Sequence, residues 1–301
     1  MKTALLFSGQ GAQSVGMAKT LYENFDSVRE LFDRADETLG FKLSKICFEG
    51  PAEALTNTDV CQPALYLHGF AVVEVLRQKQ MLGDVVSAIG LSLGELTAHA
   101  FAGTYSFEDG LRIVRERGRL MQVACEASKG AMASFIGGTP EAVEAYCKEF
   151  DVDMSNLNCP GQIVISGEAE KVAAAVAAAK ERKEFKLVIP LKVAGAYHSR
   201  LMKPARDEFE KFLDPIKFNT PKVKVFTNVT GEEVSDPEQI KKMLVRQVTS
   251  TVRWADCMRG AAALGVEQFY ECGPGGVLAG MAKRIDKTYN VKSLAEISDF
   301  Q

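Results

Sequence analysis

Asp84-Val85-Val86-Ser87-Ala88-Ile89-Gly90-Leu91-Ser92-Leu93-Gly94-Glu95-Leu96-Thr97-Ala98-His99 runs from an apolar extended segment, through a serine set between glycines, into a helical one. Residues 84–89 read as a buried strand and residues 95–102 as a helix. A strand that turns this tightly into a helix needs residues without a Cβ beside the serine, because the backbone is strained and neighbouring elements approach closely. The hydroxyl then stands at a helix N-terminus, where unpaired amides and the positive end of the helix dipole stabilise a developing oxyanion. This is the pattern of a nucleophile elbow. The same five residues also fit a small-residue turn that happens to hold a serine, so the surrounding chain has to decide.

Outward from the elbow, strand and helix signals alternate, which indicates an α/β fold. Residues 3–7 read as extended and lead into the Gly-rich loop Ser8-Gly9-Gln10-Gly11; helical periodicity then passes through Leu21 and Leu31. A second helical region covers about residues 63–81, and a third covers 107–125 beyond the elbow. From Gly130 the texture changes. A strand at 131–136 is followed by a helix after Thr139-Pro140-Glu141 and a strand near 152–157. The turn Cys159-Pro160-Gly161 leads to a strand at 162–166, an Ala-rich helix at 168–180 and a strand at 185–193. That order is βαββαβ, the ferredoxin-like arrangement, inserted as residues 128–194 between the halves 1–127 and 195–301 of a larger domain. The chain then resumes α/β character, with a strand at 223–227, helices near 237–248 and from Trp254, and a strand at 267–271. Gly273-Pro274-Gly275-Gly276 opens a last helix.

Composition bounds the function. The 301 residues are 47% hydrophobic and can bury one large core or a core plus a satellite; the net charge of −3 points to neither nucleic acid nor an anionic membrane. The seven cysteines are scattered and free of any C-x-x-C pair, which argues against a disulfide framework and a zinc site and fits reduced thiols in the cytoplasm. No segment reads as a signal-peptide core or a bilayer span.

The chain has three histidines to serve as a general base. His99 lies seven residues beyond Ser92 on one helix, roughly 10 Å along the axis, out of reach. His68 sits in a helical segment with no catalytic context. His198 follows the end of a strand through Ala194-Gly195-Ala196-Tyr197, where α/β folds place catalytic groups. Among the arginines of the 107–125 helix, Arg112, Arg115 and Arg119 project onto a polar arc, while Arg117 falls near the middle of the apolar one. A buried cation needs an anionic partner, either a protein carboxylate or a ligand's. For a ligand, the planar fork suits a bidentate carboxylate.

Together these residues resemble the malonyl-CoA:acyl carrier protein transacylase family over essentially the whole chain. Its landmarks stand in order: Phe7-Ser8-Gly9-Gln10-Gly11-Ala12-Gln13, Gly90-Leu91-Ser92-Leu93-Gly94-Glu95, Arg117-Gly118, Asn158-Cys159-Pro160-Gly161-Gln162, Gly195-Ala196-Tyr197-His198-Ser199, Gln247 with Val252-Arg253-Trp254, and Glu271-Cys272-Gly273-Pro274-Gly275. The resemblance implies an α/β-hydrolase-like large domain with the inserted ferredoxin-like one. It implies a ping-pong transfer of malonyl from malonyl-CoA to the pantetheine thiol of acyl carrier protein, with Ser92 as nucleophile and His198 as base. It further implies an oxyanion hole from the backbone amides of Gln10 and Leu93, and substrate-binding roles for Arg117, Gln247 and Asn158. Arg117 would clamp the malonyl carboxylate, and the Gln247 carbonyl would orient the histidine in place of a hydrolase's aspartate. Neither metal nor cofactor is implied; a monomer without nucleic-acid or membrane partners is.

Three positions depart from the family pattern. Leu91 stands where histidine is usual, Ser8 where proline is usual, and Tyr197 where phenylalanine accompanies malonyl over branched malonyl units. Two rival readings remain for the structure to weigh. A serine esterase or thioesterase would use the same elbow with Asp151, Asp153 or Glu168 orienting His198. A nucleotide-binding module would use the Ser8-Gly9-Gln10-Gly11 loop, but Ser14 stands where the third glycine should be.

Overall fold

The computed structural model describes residues 1–300 and contains two sheets. The first is parallel throughout. It is built from β1 (Lys2–Phe7), β2 (Asp84–Gly90), β7 (Lys224–Val225), β8 (Gln268–Cys272) and β9 (Val291–Leu294), in the order β7-β2-β1-β8-β9. The second is antiparallel, built from β3 (Gly130–Ile136), β4 (Asp153–Cys159), β5 (Gln162–Glu168) and β6 (Leu187–Pro190), in the order β4-β5-β3-β6.

The apolar run of β1 serves both faces of its sheet, as a strand buried on two sides must. Leu5 and Phe7 join the core formed with the Thr58–Gln78 and Phe107–Glu126 helices. Ala4 and Leu6 join Ile89, Trp254, Met258 and Leu278 on the opposite face. The antiparallel sheet packs against the Pro140–Phe150 and Ala169–Arg182 helices around Phe135, Tyr146, Ile165 and Val176. Its cluster is anchored by an edge-to-face pair of Phe135 and Phe185 with ring centroids 4.8 Å apart.

Several boundaries differ from the sequence reading. The helix expected from about residue 63 begins at Thr58, with Pro63 inside it; buried Thr58 and Gln62 extend it by a turn against Gly118, where an added Cβ would come within 2.3 Å of the Thr58 carbonyl oxygen. The strand expected at 223–227 pairs with β2 only at Lys224 and Val225, because Phe226 turns away to bridge Glu233. The strand expected at 185–193 is limited to Leu187–Pro190. The edge strand β9 and the Lys203–Leu213 helix lie in segments that reading left unassigned. Strand β4 of the antiparallel sheet is tied near the site to the segment before the Trp254–Ala262 helix: the Leu157 and Val252 amides donate to the Val252 and Ser155 carbonyls at 2.8 Å each.

Candidate active site

Ser92 sits between β2 and the Leu93–Phe101 helix with φ 55° and ψ −104°, a backbone conformation that must be held in place. What holds it is close packing of backbone on backbone. A Cβ on Gly90 would lie 1.9 Å from the Gly94 carbonyl carbon, and one on Gly94 would lie 2.1 Å from the Phe7 carbonyl oxygen. Glycine is therefore required at both flanks. The Ser92 amide donates to Asn228 Oδ1 at 2.6 Å, which pins the strained residue from the other side.

His198 reaches this serine. Its Nε2 is 2.8 Å from Ser92 Oγ, and its Nδ1 is 2.9 Å from the Gln247 carbonyl oxygen. A carbonyl can only accept, so Nδ1 carries the proton and Nε2 is the acceptor for the serine hydroxyl. Burial pushes the imidazole down to about 4, with the Arg117 charge adding to the shift, so the ring is a neutral base at physiological pH. The other histidines are elsewhere. His99 bonds Thr104 Oγ1 at 3.1 Å, and His68 bonds the Ala295 carbonyl at 2.9 Å, both in the core.

Arg117 is 1% exposed, as the helical projection implied, and its guanidinium faces the serine. Nη2 donates to Ser92 Oγ at 3.0 Å and to Gln247 Oε1 at 2.8 Å; Nη1 donates to Gln62 Oε1 at 2.8 Å. The two partners left open by the sequence were a protein carboxylate and a ligand. No protein carboxylate holds the guanidinium directly: neutral amide oxygens and a hydroxyl accept from the cation, and Arg117 forms no ion pair among the described residues. An opposing charge, the buried Glu95 carboxylate, lies behind Gln247, which donates to it, and burial lowers the guanidinium to about 10 against that attraction.

A cavity of about 670 Å³ opens onto the serine. It runs between the sheets, with Met121, Met132, Val164, Leu191 and Met281 as apolar walls and Ser92, Arg117 and His198 at its floor. Gln10 and Leu93 line it, Leu93 as the first helical residue, whose amide has no intrahelical acceptor. Asn158 also lines it, with Oδ1 unpartnered. Gln247 is fully buried and contacts the site through Arg117, His198 and the Ser92 carbonyl.

Three supporting residues escaped the sequence reading: Glu95, Asn228 and Gln62. Glu95 did leave a signal, a carboxylate among Leu93, Leu96, Ala98 and Ala100 on a short apolar helix. The carboxylates an esterase would need lie elsewhere. Asp151 and Asp153 bind Arg200, and Glu168 binds Lys171 at the surface, while a backbone carbonyl occupies His198 Nδ1.

A model of the acyl transferase domain matches residues 4–298. The chain is 42% identical to the malonyl CoA-acyl carrier protein transacylase of Bacillus subtilis, over 99% of this chain and 94% of that one. Among solved structures, an acyl carrier protein S-malonyltransferase from Vibrio cholerae superimposes with a TM-score of 0.95 at 39% identity, covering 100% of this chain and 99% of that one. A malonyl-transacylase in complex with its type II polyketide acyl-carrier protein superimposes at 0.94 with 36% identity, covering 99% and 97%. With this elbow, this base and near-complete coverage by such relatives, the chain belongs to the acyl transferase family, in its malonyl-CoA:acyl carrier protein transacylase branch.

Proposed function

We propose that this protein transfers malonyl from malonyl-CoA to the phosphopantetheine thiol of acyl carrier protein, through a malonyl ester on Ser92. In the first half-reaction Ser92 Oγ attacks the thioester carbonyl while its proton passes to His198 Nε2. The amides of Gln10 and Leu93 hold the oxyanion. The carbon–sulfur bond then breaks, and coenzyme A leaves as a thiol with the proton from His198. In the second half, the carrier protein's thiol gives its proton to His198, its sulfur attacks the ester, and Ser92 recovers the proton as its alkoxide departs. The balance closes with protein groups alone, so the reading calls for no cofactor or metal.

The observation that carries the substrate assignment is Arg117. A guanidinium 3.0 Å from the nucleophile, held by neutral acceptors, keeps its charge available for the free carboxylate of a malonyl group. Asn158, which lines the same cavity with an unpartnered Oδ1, is proposed as a second polar contact, accepting from an amide N–H of the pantetheine arm. An Arg117→Ala variant tests the assignment. Single-turnover acylation by malonyl-CoA is expected to fall by about 10²-fold relative to acetyl-CoA, the scale of a lost charge-assisted hydrogen bond. An unchanged ratio of the two substrates overturns the clamp.

In finer detail, the reading is of an α/β-hydrolase-like domain formed by residues 1–127 and 195–301, with residues 128–194 as a ferredoxin-like insert. The strand order β4-β5-β3-β6 supports the second half of that description. The protein is proposed to act as a cytoplasmic monomer that loads carrier protein for fatty acid or polyketide synthesis; among the described residues no helix is long and apolar enough to cross a membrane.

A further inference from the structure

Glu95 is a fully buried carboxylate that the transfer steps do not use. One oxygen, Oε2, accepts from Gln247 Nε2 at 2.7 Å and from the Asn228 amide at 2.9 Å, while Oε1 has no partner. The Gln247 side chain is thereby oriented. Nε2 faces two acceptors, Glu95 Oε2 and the Ser92 carbonyl oxygen at 3.0 Å, and Oε1 is turned to Arg117 Nη2 at 2.8 Å. A flipped amide would set oxygen against a carboxylate and a carbonyl, and an amino group against a guanidinium, so both ends forbid it. We propose that Glu95 is a positioning residue that acts through the Gln247 side chain to fix the Arg117 guanidinium for a substrate carboxylate.

The geometry separates this role from a general one. His198 is oriented by the Gln247 backbone carbonyl, not its side chain, so loss of the Glu95 acceptor leaves the base in place. Glu95 also reaches the elbow through Asn228, whose Oδ1 holds the Ser92 amide. A defect passed along that second route misplaces the nucleophile for every acyl-CoA alike. A defect passed through Gln247 also loosens the contacts to Ser92, but it falls hardest on substrates with a free carboxylate, which depend on the Arg117 guanidinium as well.

The inference rests on the reading that Arg117 holds the malonyl carboxylate, and the test keeps the two apart. Glu95→Met removes the acceptor while keeping the side chain's length, and Glu95→Gln keeps an acceptor oxygen. Each is compared with Arg117→Ala for single-turnover acylation by malonyl-CoA and acetyl-CoA, with thermal melting to verify folding. The expected result is a drop of about tenfold in the malonyl-to-acetyl ratio of kcat/KM for Glu95→Met, with Glu95→Gln within about threefold of the parent protein. Equal loss of both substrates in Glu95→Met assigns Glu95 to the elbow and overturns the proposal. So does a Glu95→Gln ratio as low as that of Arg117→Ala, an outcome readable even if Glu95→Met does not fold. If Arg117→Ala leaves the ratio unchanged, the clamp itself fails and this inference falls with it.

Discussion

His198 has the protonation pattern of a base that needs no carboxylate behind it. The Gln247 carbonyl fixes its tautomer, and burial with the neighbouring Arg117 charge keeps it neutral. The sign of the pH effect follows. In the proposed mechanism the neutral ring is the active form, so acylation is lost as pH falls through the folded-state value of about 4, not through the ordinary 6.5. The acid limb of kcat/KM for malonyl-CoA should therefore lie well below pH 6, and His198→Ala should slow acylation by about 10²-fold or more. A limb near 6.5, or a near-normal rate in the variant, would show that this ring is not the base. The sequence singles out Ser92, His198 and Arg117, which the structure brings within hydrogen-bonding distance of one another at Ser92, because each is rare in kind: one elbow serine, one histidine at a strand end, one arginine in an apolar arc. Glu95, Asn228 and Gln62 were not legible there, since their value comes from partners 55 to 152 residues away, and no local period marks such contacts.

At the scale of elements, the elbow is a close contact between β1, β2 and the Leu93–Phe101 helix, and glycine is what permits it. The sequence announced this correctly, because an apolar strand, a small-residue turn and an apolar helix in succession leave little alternative. It announced the β7 and Thr58–Gln78 boundaries poorly. Strand length at a sheet edge and the first turn of a helix are set by the neighbours they meet, as Gly118 meets Thr58. Gly94→Ala should cost roughly 2–4 kcal/mol in denaturant unfolding and displace the nucleophile, because its Cβ would press on the Phe7 backbone. Gly280→Ala, in the Val277–Ile285 helix with open space around the new methyl, is the matched control and should be neutral or slightly stabilising. Equal effects in the two variants would remove the packing argument for the elbow. The same helix is fixed at its start by Glu271, buried and accepting from the Leu278 and Ala279 amides at 2.8 and 3.0 Å. That contact holds Leu278 and Met281 on the cavity wall.

Across the whole molecule, the site is assembled from parts far apart in the chain. The parallel sheet supplies the serine, the Phe107–Glu126 helix the arginine, and the loop after β6 of the antiparallel sheet the histidine. The cavity lies where the two sheets meet, mostly apolar, with Arg117 at its floor and Lys192 also on its lining, an environment suited to a pantetheine arm shared by both substrates. The alternation of elements and the βαββαβ run were readable in order, but which faces meet was not. The antiparallel sheet is tied to the rest of the molecule by contacts such as Leu157 on Val252 that no period encodes. The central claim is that one serine takes malonyl from one carrier and yields it to another, and intact mass spectrometry in two stages tests it most directly. Malonyl-CoA alone should leave one malonyl on the protein and none on Ser92→Ala, and added holo acyl carrier protein should remove that group and gain it. Malonyl released as free malonate before the carrier protein is added, or an adduct that survives on Ser92→Ala, would contradict it.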